Sequence, residues 1–250
     1  MINKKLVKNR FKKSLTTYEK SAVVQKRMAE YLVKKLIDLD IKKIDEVFEF
    51  GTGTGFLTKA VKEKISFNKY SANDIIEQSK IYIEKVTNVQ DFYAGDIENI
   101  ELKNQYDLIV SNAVMQWITD IEGIFEKVKK IMKKDSVFAF TTFGENNFIE
   151  IKETTGLSLE YLKQETLLQK CEKYFDILYF EETQETLFFK NPIEVLKHIK
   201  ETGTNGISRL KWTQKKLKEF TEFYEKSFAL GDNVKLTYNP VYVVLKQKID

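Results

Sequence analysis

The chain has little of what several classes of enzyme and secreted protein require. It has one cysteine, Cys171, and one histidine, His198, among 250 residues. An intrachain disulfide is therefore excluded, and no cluster with zinc-ligand spacing or Ser-His-Asp set is present. We find no signal peptide and no apolar run near the ~18 residues of a membrane span. These absences predict a soluble cytoplasmic protein without a metal site and without membrane association.

Net charge and chain length limit the possible partners and the number of domains. Forty-one basic and 37 acidic residues give a net charge of +4, which is too small to indicate a nucleic-acid partner. With 42% hydrophobic residues, a chain of 250 residues can bury a large core. We therefore expect one domain over residues 1–250, and a monomer.

A glycine-rich turn near residue 50 is the strongest local signal. An apolar strand over residues 46–50 is followed at once by Gly51, Gly53 and Gly55, and then by a run that favours a helix. Glycines at this position let the backbone turn with positive φ and let a ligand approach the main chain at a helix N-terminus. The dinucleotide fingerprint requires a third glycine where Phe56 stands, so a nicotinamide or flavin site is disfavoured.

Two acids extend this pattern. Glu49 precedes the first glycine by two residues, which resembles the first motif of class I S-adenosylmethionine-dependent methyltransferases, where the acid lies near the methionine ammonium. Asp74 ends the second predicted strand, near the ~20-residue offset at which such folds place an acid on the ribose hydroxyls. Alternatively, Asp74 is the N-cap of the next helix.

Polar residues also follow the third and fourth predicted strands. Asp96 and Ile97 resemble the methyltransferase pair in which the acid binds the adenine amino group and the aliphatic side chain covers the ring. Asn112, Gln116 and Trp117 cross the carboxyl end of the fourth strand, the edge at which open α/β sheets bind ligands. We expect these three to face the methyl-transfer site, although Trp117 also fits a core position.

The N-terminal third of the chain favours helices. Residues 1–14 have the pattern of a solvated amphipathic helix, and apolar residues at steps of three and four over residues 15–36 mark one face of a helix. Tyr18 and Gln25 are polar positions on that face. Either they form a hydrogen bond with each other, or this helix lies across the mouth of the cofactor site and both contact the ligand.

The order of elements predicts the architecture. Strands alternating with helices up to Phe143 favour an α/β fold with a parallel, doubly wound sheet. After Phe143 the pattern changes, and we expect an insertion whose helices cover the mouth as a lid. The divisions are 1–37 for an N-terminal helical cap, 44–143 for the cofactor-binding core, 144–235 for the lid and added helices with the sixth strand, and 236–247 for a closing strand.

Several motifs together resemble the malonyl-acyl-carrier-protein O-methyltransferases of biotin synthesis. They are Arg10-Phe11 with Tyr18 and Gln25, the glycine turn, residues 95–98, residues 111–117, residues 140–144 and residues 238–242. The resemblance implies a Rossmann-like, mostly parallel seven-stranded sheet with helices on both faces. It also implies S-adenosylmethionine as methyl donor, S-adenosylhomocysteine as product, and the free carboxyl of malonyl-acyl carrier protein as acceptor. The implied cofactor-binding residues are Tyr18, Gln25, Glu49, Gly51, Thr52, Gly53, Gly55, Asp74, Ile75, Asp96, Ile97, Asn112, Gln116 and Trp117.

This chemistry requires no general base, because a malonyl carboxylate is already ionised at pH 7. It does require a cation for the carboxylate, and arginine has the matching geometry. The chain has Arg10, Arg27 and Arg209. Arg209 lies in the predicted lid, and we expect it to contact the substrate, although it is equally typical of a solvated cation. Tyr18 and Phe143 are the other substrate candidates.

An acidic carrier protein requires a basic docking face. Cations cluster in the predicted lid, and residues 4–13 are a second cluster. The predicted docking residues are Arg209, Lys211, Lys215, Lys216 and Lys218.

Other functions remain open at this stage. The cofactor motifs are shared by methyltransferases of other small carboxylates or ring carbons, and a regulator that binds the donor without turnover has the same motifs. A nucleic-acid amino-methyltransferase is disfavoured, because Ala113 and Val114 stand where such enzymes have Pro-Pro. The choice between carrier protein and coenzyme A as thioester also remains open.

Overall fold

A computed structural model describes residues 3–203 and 212–248. Its centre is a seven-stranded sheet in the order β3-β2-β1-β4-β5-β10-β6. Neighbouring strands among β1 to β5 pair in parallel, and β10 runs antiparallel to both β5 and β6. The strands are β1 Lys43–Phe50, β2 Ser66–Asp74, β3 Asp91–Ala94, β4 Tyr106–Ser111, β5 Met132–Phe143, β6 Phe175–Glu182 and β10 Pro240–Gln247.

Helices and a small second sheet surround this centre. The helices are α1 Lys4–Ser21, α2 Val23–Asp38, α3 Phe56–Lys64, α4 Ser79–Ile83, α5 Ile121–Ile131, α6 Ile149–Thr155, α7 Gln164–Tyr174, α8 Pro192–Glu201 and α9 Gln214–Phe228, with a 3-10 turn at Met115–Trp117. The second sheet is antiparallel, in the order β7-β9-β8, with β7 Glu185–Phe189, β8 Ala229–Leu230 and β9 Asn233–Tyr238. Within the described ranges, no helix combines the length and apolarity needed to cross a bilayer.

The central sheet is buried on both faces, as its apolar strands require. Val47 and Leu108 pack with α2 and α3 in one apolar cluster, whereas Phe48 and Ile109 pack with α5 and α7 in the other. Side chains alternate along a strand, so neighbours in sequence belong to opposite layers. This arrangement confirms the predicted fold class.

The N-terminal helices differ from the prediction. The apolar face over residues 15–36 is continuous in sequence, but the helix is interrupted at Ala22, which has φ −86° and ψ 49° and separates α1 from α2. Tyr18 therefore lies near the end of one helix and Gln25 near the start of the next. The periodicity of three and four does not reveal the break, because Ala22 is itself a strong helix former.

The closing strand is also two strands rather than one. Residues 233–238 belong to the second sheet, and residues 240–247 belong to the central sheet. Asn239 lies between them, donates its backbone N–H to Asn147 Oδ1 at 3.1 Å and accepts from Gly144 N–H at 2.8 Å. Pro240 has no N–H to continue the earlier ladder, so the change of sheet occurs there.

Candidate active site

The glycine turn between β1 and α3 has the predicted conformation. Gly51, Gly53 and Gly55 have φ of 71°, 54° and 87°, a region that side-chain-bearing residues rarely adopt. A Cβ added to Gly51 would lie 2.2 Å from Val114 Cγ2, whereas a Cβ added to Gly53 would have no atom within 4 Å. Gly53 therefore borders open space, where a ligand can approach the backbone.

Asp74 joins this turn to the end of β2. One carboxylate oxygen accepts from Gly53 N–H at 2.7 Å, and the other accepts from Ile76 N–H at 2.7 Å. Asp74 is not the N-cap of α4, which begins at Ser79. Burial raises the pKa of Asp74. The carboxylate is thus held in place at the edge of the space beside Gly53.

A cavity of about 800 Å³, including its open mouth, lies between α1 and the carboxyl ends of the strands. This volume is within the usual range of small-molecule sites. We call it the first cavity. It is lined by Lys4, Val7, Phe11, Leu15, Tyr18, Gly51, Gly53, Thr54, Asn73, Asp74, Ile75, Ile76, Gly95, Asp96, Ile97, Asn112, Ala113, Val114, Trp117 and Ile118.

Helix α1 covers the first cavity with one face. Residues at positions 4, 7, 11, 15 and 18 follow the three-and-four spacing of a helix and all line the cavity. Phe11 packs edge-on against Trp117 with 5.7 Å between ring centroids, and Tyr18 stacks on Phe56 at 5.7 Å. Residues 1–14 are therefore not a helix solvated on all sides, as expected above; this face agrees instead with the alternative in which the N-terminal helix lies across the mouth of the site. Their amphipathic spacing was the available signal.

Lys4 connects the start of α1 to the wall of the first cavity that follows β3. Its ammonium lies 3.3 Å from Asp96 Oδ1 and also contacts the Glu98 carboxylate. Glu98 in turn accepts from the Asp120 backbone N–H at 2.9 Å. Asp120 is the N-cap of α5, since its side chain accepts from Gly123 N–H. The predicted adenine acid thus has a cation as its partner in this structure.

Most predicted cofactor residues converge on the first cavity, and five lie elsewhere. Those that line it are Tyr18, Gly51, Gly53, Asp74, Ile75, Asp96, Ile97, Asn112 and Trp117. Those absent from its lining are Gln25, Glu49, Thr52, Gly55 and Gln116.

Glu49 lies behind the glycine turn. Its carboxylate accepts from the Thr58 hydroxyl at 2.6 Å and from the Tyr70 hydroxyl. Burial raises the pKa of Glu49 to about 7. The alternation of β1 explains this position, because Glu49 shares with Val47 the face that α2 and α3 cover. Glu49 thus connects α3 to β2 through these hydrogen bonds, and its expected role beside a bound ammonium stays a prediction.

Gln25 is buried at 1% exposure. Its side-chain amide lies beside the Tyr238 hydroxyl, yet neither its oxygen nor its nitrogen has a hydrogen bond within the described part of the chain. The proposed Tyr18–Gln25 bond is therefore not formed. The backbone carbonyl of Gln25 accepts from Asn112 Nδ2 at 2.9 Å, which connects α2 to the end of β4.

Two further buried polar groups belong to the cavity wall. Trp117 Nε1 and the Thr54 hydroxyl have no hydrogen-bond partner among the described residues, and both residues line the first cavity. Buried polar groups are nearly always satisfied in folded proteins. Their position indicates a site that accepts a ligand with polar groups.

A second cavity adjoins the first and shares Val7, Trp117 and Ile118 with it. The end of β5, the 3-10 turn and residues 157–162 supply most of the remaining wall. Gln116 lies here and donates to the Ala113 carbonyl at 2.7 Å. Phe143, a predicted substrate residue, and Arg10 also line it. The two cavities together can hold two reactants side by side.

The predicted lid contributes less to the cavities than expected. Arg209 and Lys211 lie outside the described residues. Lys215, Lys216 and Lys218 lie on α9, which supplies no residue to the lining of either cavity. The cover comes instead from α1 and from residues 157–162, between α6 and α7. Ser158 is one of these residues and begins no helix, since α7 follows Lys163.

His198, the single histidine, is part of the core rather than of a catalytic set. Its Nε2 lies 2.7 Å from the Tyr238 hydroxyl, and burial lowers the pKa of His198 to about 4. The ring is therefore neutral at physiological pH, and it lines neither cavity.

Comparison with known proteins places this geometry in a family. A family model described as a methyltransferase domain matches residues 48–140. The N-methyltransferase NodS of Bradyrhizobium japonicum WM9, solved in complex with S-adenosyl-L-homocysteine, shares the fold with a TM-score of 0.54 at 9% identity, covering 89% of this chain and 87% of that one.

Two curated relatives match along nearly their whole length. A malonyl-[acyl-carrier protein] O-methyltransferase of Calditerrivibrio nitroreducens is 38% identical, covering 96% of this chain and 96% of the relative. A protein of the same name from Chlorobium luteolum is 35% identical, covering 99% and 97%. The glycine turn, the adjoining cavities and these full-length matches lead to one conclusion: the chain belongs to the malonyl-[acyl-carrier protein] O-methyltransferase family.

Proposed function

We propose that this protein, acting as a cytoplasmic monomer, transfers a methyl group from S-adenosylmethionine to the free carboxyl of malonyl-acyl carrier protein. The observation that carries the proposal is the pair of adjoining cavities, one built on the glycine turn and one beside it, with Trp117 in the wall between them. The relatives' names supply the acceptor. The methyl ester masks a charge that would block chain elongation, and it primes pimeloyl and biotin synthesis.

The first cavity fits the donor. Gly53 leaves space for close approach, Asp74 presents a fixed carboxylate for ribose hydroxyls, and Asp96 with Ile97 stands where a purine is expected. The unpartnered Trp117 Nε1 and Thr54 hydroxyl offer further hydrogen bonds. When bound, S-adenosylmethionine supplies an electrophilic methyl group on a sulfonium.

The second cavity fits the acceptor, and the residues there act by positioning. A malonyl carboxylate is ionised at neutral pH, so no residue has to remove a proton. The shared wall of Val7, Trp117 and Ile118 is apolar except for the indole N–H. We expect it to exclude water from the point where the two cavities meet. Holding two reactants in line in this way supplies several kcal/mol toward the barrier.

The carrier protein, which is acidic, is proposed to dock on the outer side of α1, with the α9 lysines as a second contribution. Helix α1 carries seven cations against one acid, Glu19, whereas α9 carries four lysines against three glutamates. On α9, Lys215 and Lys218 lie 3.9 and 3.7 Å from Glu219 and Glu222. The mouth of the second cavity also borders α1, where Leu6 is 38% exposed.

Mass spectrometry tests the reaction directly. Malonyl-carrier protein incubated with donor and enzyme should gain one methyl, and the added methyl should leave with the acyl group when hydroxylamine cleaves the thioester. Acetyl-carrier protein, which lacks the free carboxyl, is the matched control and should stay unchanged. Malonyl coenzyme A in place of the carrier protein measures how far the protein surface matters.

The same assay separates the rival functions. Methylation of another small carboxylic acid or of a ring carbon, with malonyl-carrier protein untouched, would replace the proposed acceptor. Donor binding by calorimetry without methylation of any acceptor tested would indicate a regulator rather than an enzyme.

A further inference from the structure

Among the residues that the structure describes, one cation and one acid line the second cavity. Arg10 reaches it from α1, and Glu160 reaches it from the segment between α6 and α7. The other lining residues are apolar or neutral, such as Leu6, Met115 and Leu162. A carboxylate that enters such surroundings loses hydration and needs a compensating charge. Arg10 is therefore the group in this wall that can hold an anionic acceptor.

Arg10 is suited to that role by its chemistry and its position. Partial burial lowers the pKa of Arg10, but a guanidinium remains charged at neutral pH. Its planar fork matches the two oxygens of a carboxylate. Arg10 also lies one helical turn from Val7, which belongs to the wall between the cavities. A carboxylate held by Arg10 is thus close to the place where the cavities meet.

Three other cations, two near the site and one on the surface of α2, are outside the lining of the second cavity. Lys4 contacts Asp96 and Glu98 in the first cavity. Lys127 donates to three backbone carbonyls, those of Ile97, Glu98 and Ile100. Arg27 is 60% exposed on the surface of α2 and contacts Glu185. None of the three lines the second cavity.

We infer that Arg10 binds the free carboxylate of the acceptor and is the residue that selects a carboxyl-bearing acyl thioester over an uncharged one. This inference rests on the proposed function. It gives α1 two roles, because the face with residues 4, 7, 11, 15 and 18 covers the donor and the adjacent flank with Arg10 recognises the acceptor. Arg209, the substrate candidate expected from the sequence, lies outside the described residues.

Binding of two carrier proteins that differ only in the carboxyl tests the inference. Dissociation constants of malonyl- and acetyl-carrier protein are measured by calorimetry with S-adenosylhomocysteine present, so that no turnover occurs. Docking contributions cancel in the ratio of the two constants. The wild type should prefer the malonyl form, and Arg10→Gln should reduce that preference by roughly 10- to 100-fold.

Two further variants complete the design. Arg10→Lys keeps the charge without the fork and should retain part of the preference, whereas Arg27→Gln removes an arginine remote from the cavity and should behave as wild type. Unchanged affinity of each variant for S-adenosylhomocysteine shows that the fold and the first cavity are intact. If Arg10→Gln proves unstable, the ratio of the two dissociation constants measured with Arg10→Lys tests the inference instead.

The outcomes separate the two proposals. If the wild type methylates malonyl-carrier protein but Arg10→Gln and Arg10→Lys keep the full malonyl preference, Arg10 is not the selecting residue and the proposed function stands. If the wild type neither methylates nor prefers malonyl-carrier protein, the proposed function fails. A preference lost in Arg10→Gln and equally in Arg27→Gln would indicate a general charge effect and would overturn the assignment.

Discussion

The two cavities differ in what builds them. Backbone geometry forms much of the first, through three positive-φ glycines and the ends of β1 to β4. Side chains form most of the second, from α1, the end of β5 and the irregular residues 157–162. A turn with a strict backbone requirement leaves a readable pattern in sequence, whereas a wall assembled from distant segments does not. The cavity at the glycine turn was therefore predictable from the sequence, and the second cavity was not.

The cavities also differ in charge. Asp74 and Asp96 line the first, where Lys4 is the neighbouring cation, and Arg10 and Glu160 line the second. Among the described residues, the first cavity therefore has two acids and one cation, whereas the second has one of each. Helix α1 contributes to both cavities, so its removal should affect both reactants, whereas changes in the glycine turn should affect one.

The largest expected effect comes from Gly53→Val, which changes the first cavity alone. The added side chain enters the open space beside the turn, and we expect donor binding to be abolished, measured by calorimetry with S-adenosylmethionine. Valine at φ 54° is strained by roughly 1–3 kcal/mol, so some stability is lost as well.

Gly231→Val is the matched control. Gly231 has φ 60° and no atom within 4 Å of an added Cβ, and it lies in the turn between β8 and β9. Gly231→Val should lower the melting temperature about as much as Gly53→Val does, because the backbone strain is similar. Its affinity for the donor should stay as in wild type. Donor affinity unchanged in Gly53→Val would remove the glycine turn from the donor site.

Deletion of residues 1–21 should affect both cavities. It removes α1 up to the break at Ala22 and leaves the buried face of α2 in place. Loss of a wall containing Phe11 and Tyr18 should weaken donor binding by more than about tenfold, because burial of one aromatic side chain contributes roughly 1.5–3 kcal/mol.

Calorimetry and thermal melting together decide the role of α1. Phe11→Ala, in the wall of the first cavity, should reproduce part of the loss of donor affinity. Leu6→Ala, in the wall of the second cavity, should not. If the protein without residues 1–21 has the melting temperature and the donor affinity of the wild type, α1 has no role in donor binding.

Charge reversal on α1 should affect the acceptor alone. Lys5, Lys12 and Lys13 are exposed, and changing all three to Glu should raise KM for malonyl-carrier protein about threefold to tenfold and flatten its dependence on salt. The KM for malonyl coenzyme A, which lacks the protein surface, should change less. The measurement is initial rates over a salt series.

Helix α9 provides the comparison for that prediction. Changing Lys215, Lys216 and Lys218 to Glu should have the smaller effect, because Glu219, Glu222 and Glu225 already reduce the positive field of α9. The reverse order of effects would move the docking face to α9, where the sequence analysis placed it.

The smallest effect on binding is expected for Glu49→Gln, which lies outside both cavities. The pKa of Glu49 is about 7 in the folded protein and about 4.3 in an unfolded chain. Between these values the folded state retains a proton that the unfolded state has lost. The contribution of Glu49 to stability is therefore greatest below pH 4, falls as pH rises toward 7, and is constant above that.

Denaturation of wild type and Glu49→Gln at pH 5 and pH 8 measures this contribution. The free energy of unfolding of the variant minus that of wild type should be larger at pH 8 than at pH 5. The contributions of other titrating groups cancel in this difference. Donor affinity should change less than about twofold. A large loss of donor affinity would restore the expectation that Glu49 faces the bound ammonium.

Local sequence determined the strand, the glycine turn and the acid at the end of β2, because each depends on a few neighbouring residues. The positive φ at Gly51, Gly53 and Gly55 follows from short-range geometry. The hydrogen bond from Gly53 N–H to Asp74, which is 21 residues away, depends on the neighbouring positions of β1 and β2. The alternation of strands and helices likewise determined the parallel sheet, since few topologies satisfy it.

The tertiary structure alone decided which surfaces meet. Whether the apolar face of α1 is solvated or covers a cavity depends on contacts with residues about 100 positions away, such as Phe11 with Trp117. Helices cover both faces of β1, and the side chain of Glu49 lies on the face covered by α2 and α3. The two-residue alternation of a strand does not say which of the two faces adjoins the cavity. The position of Arg10 beside the acceptor cavity required α1, β5 and residues 157–162 to assemble together, and no local pattern encodes that assembly.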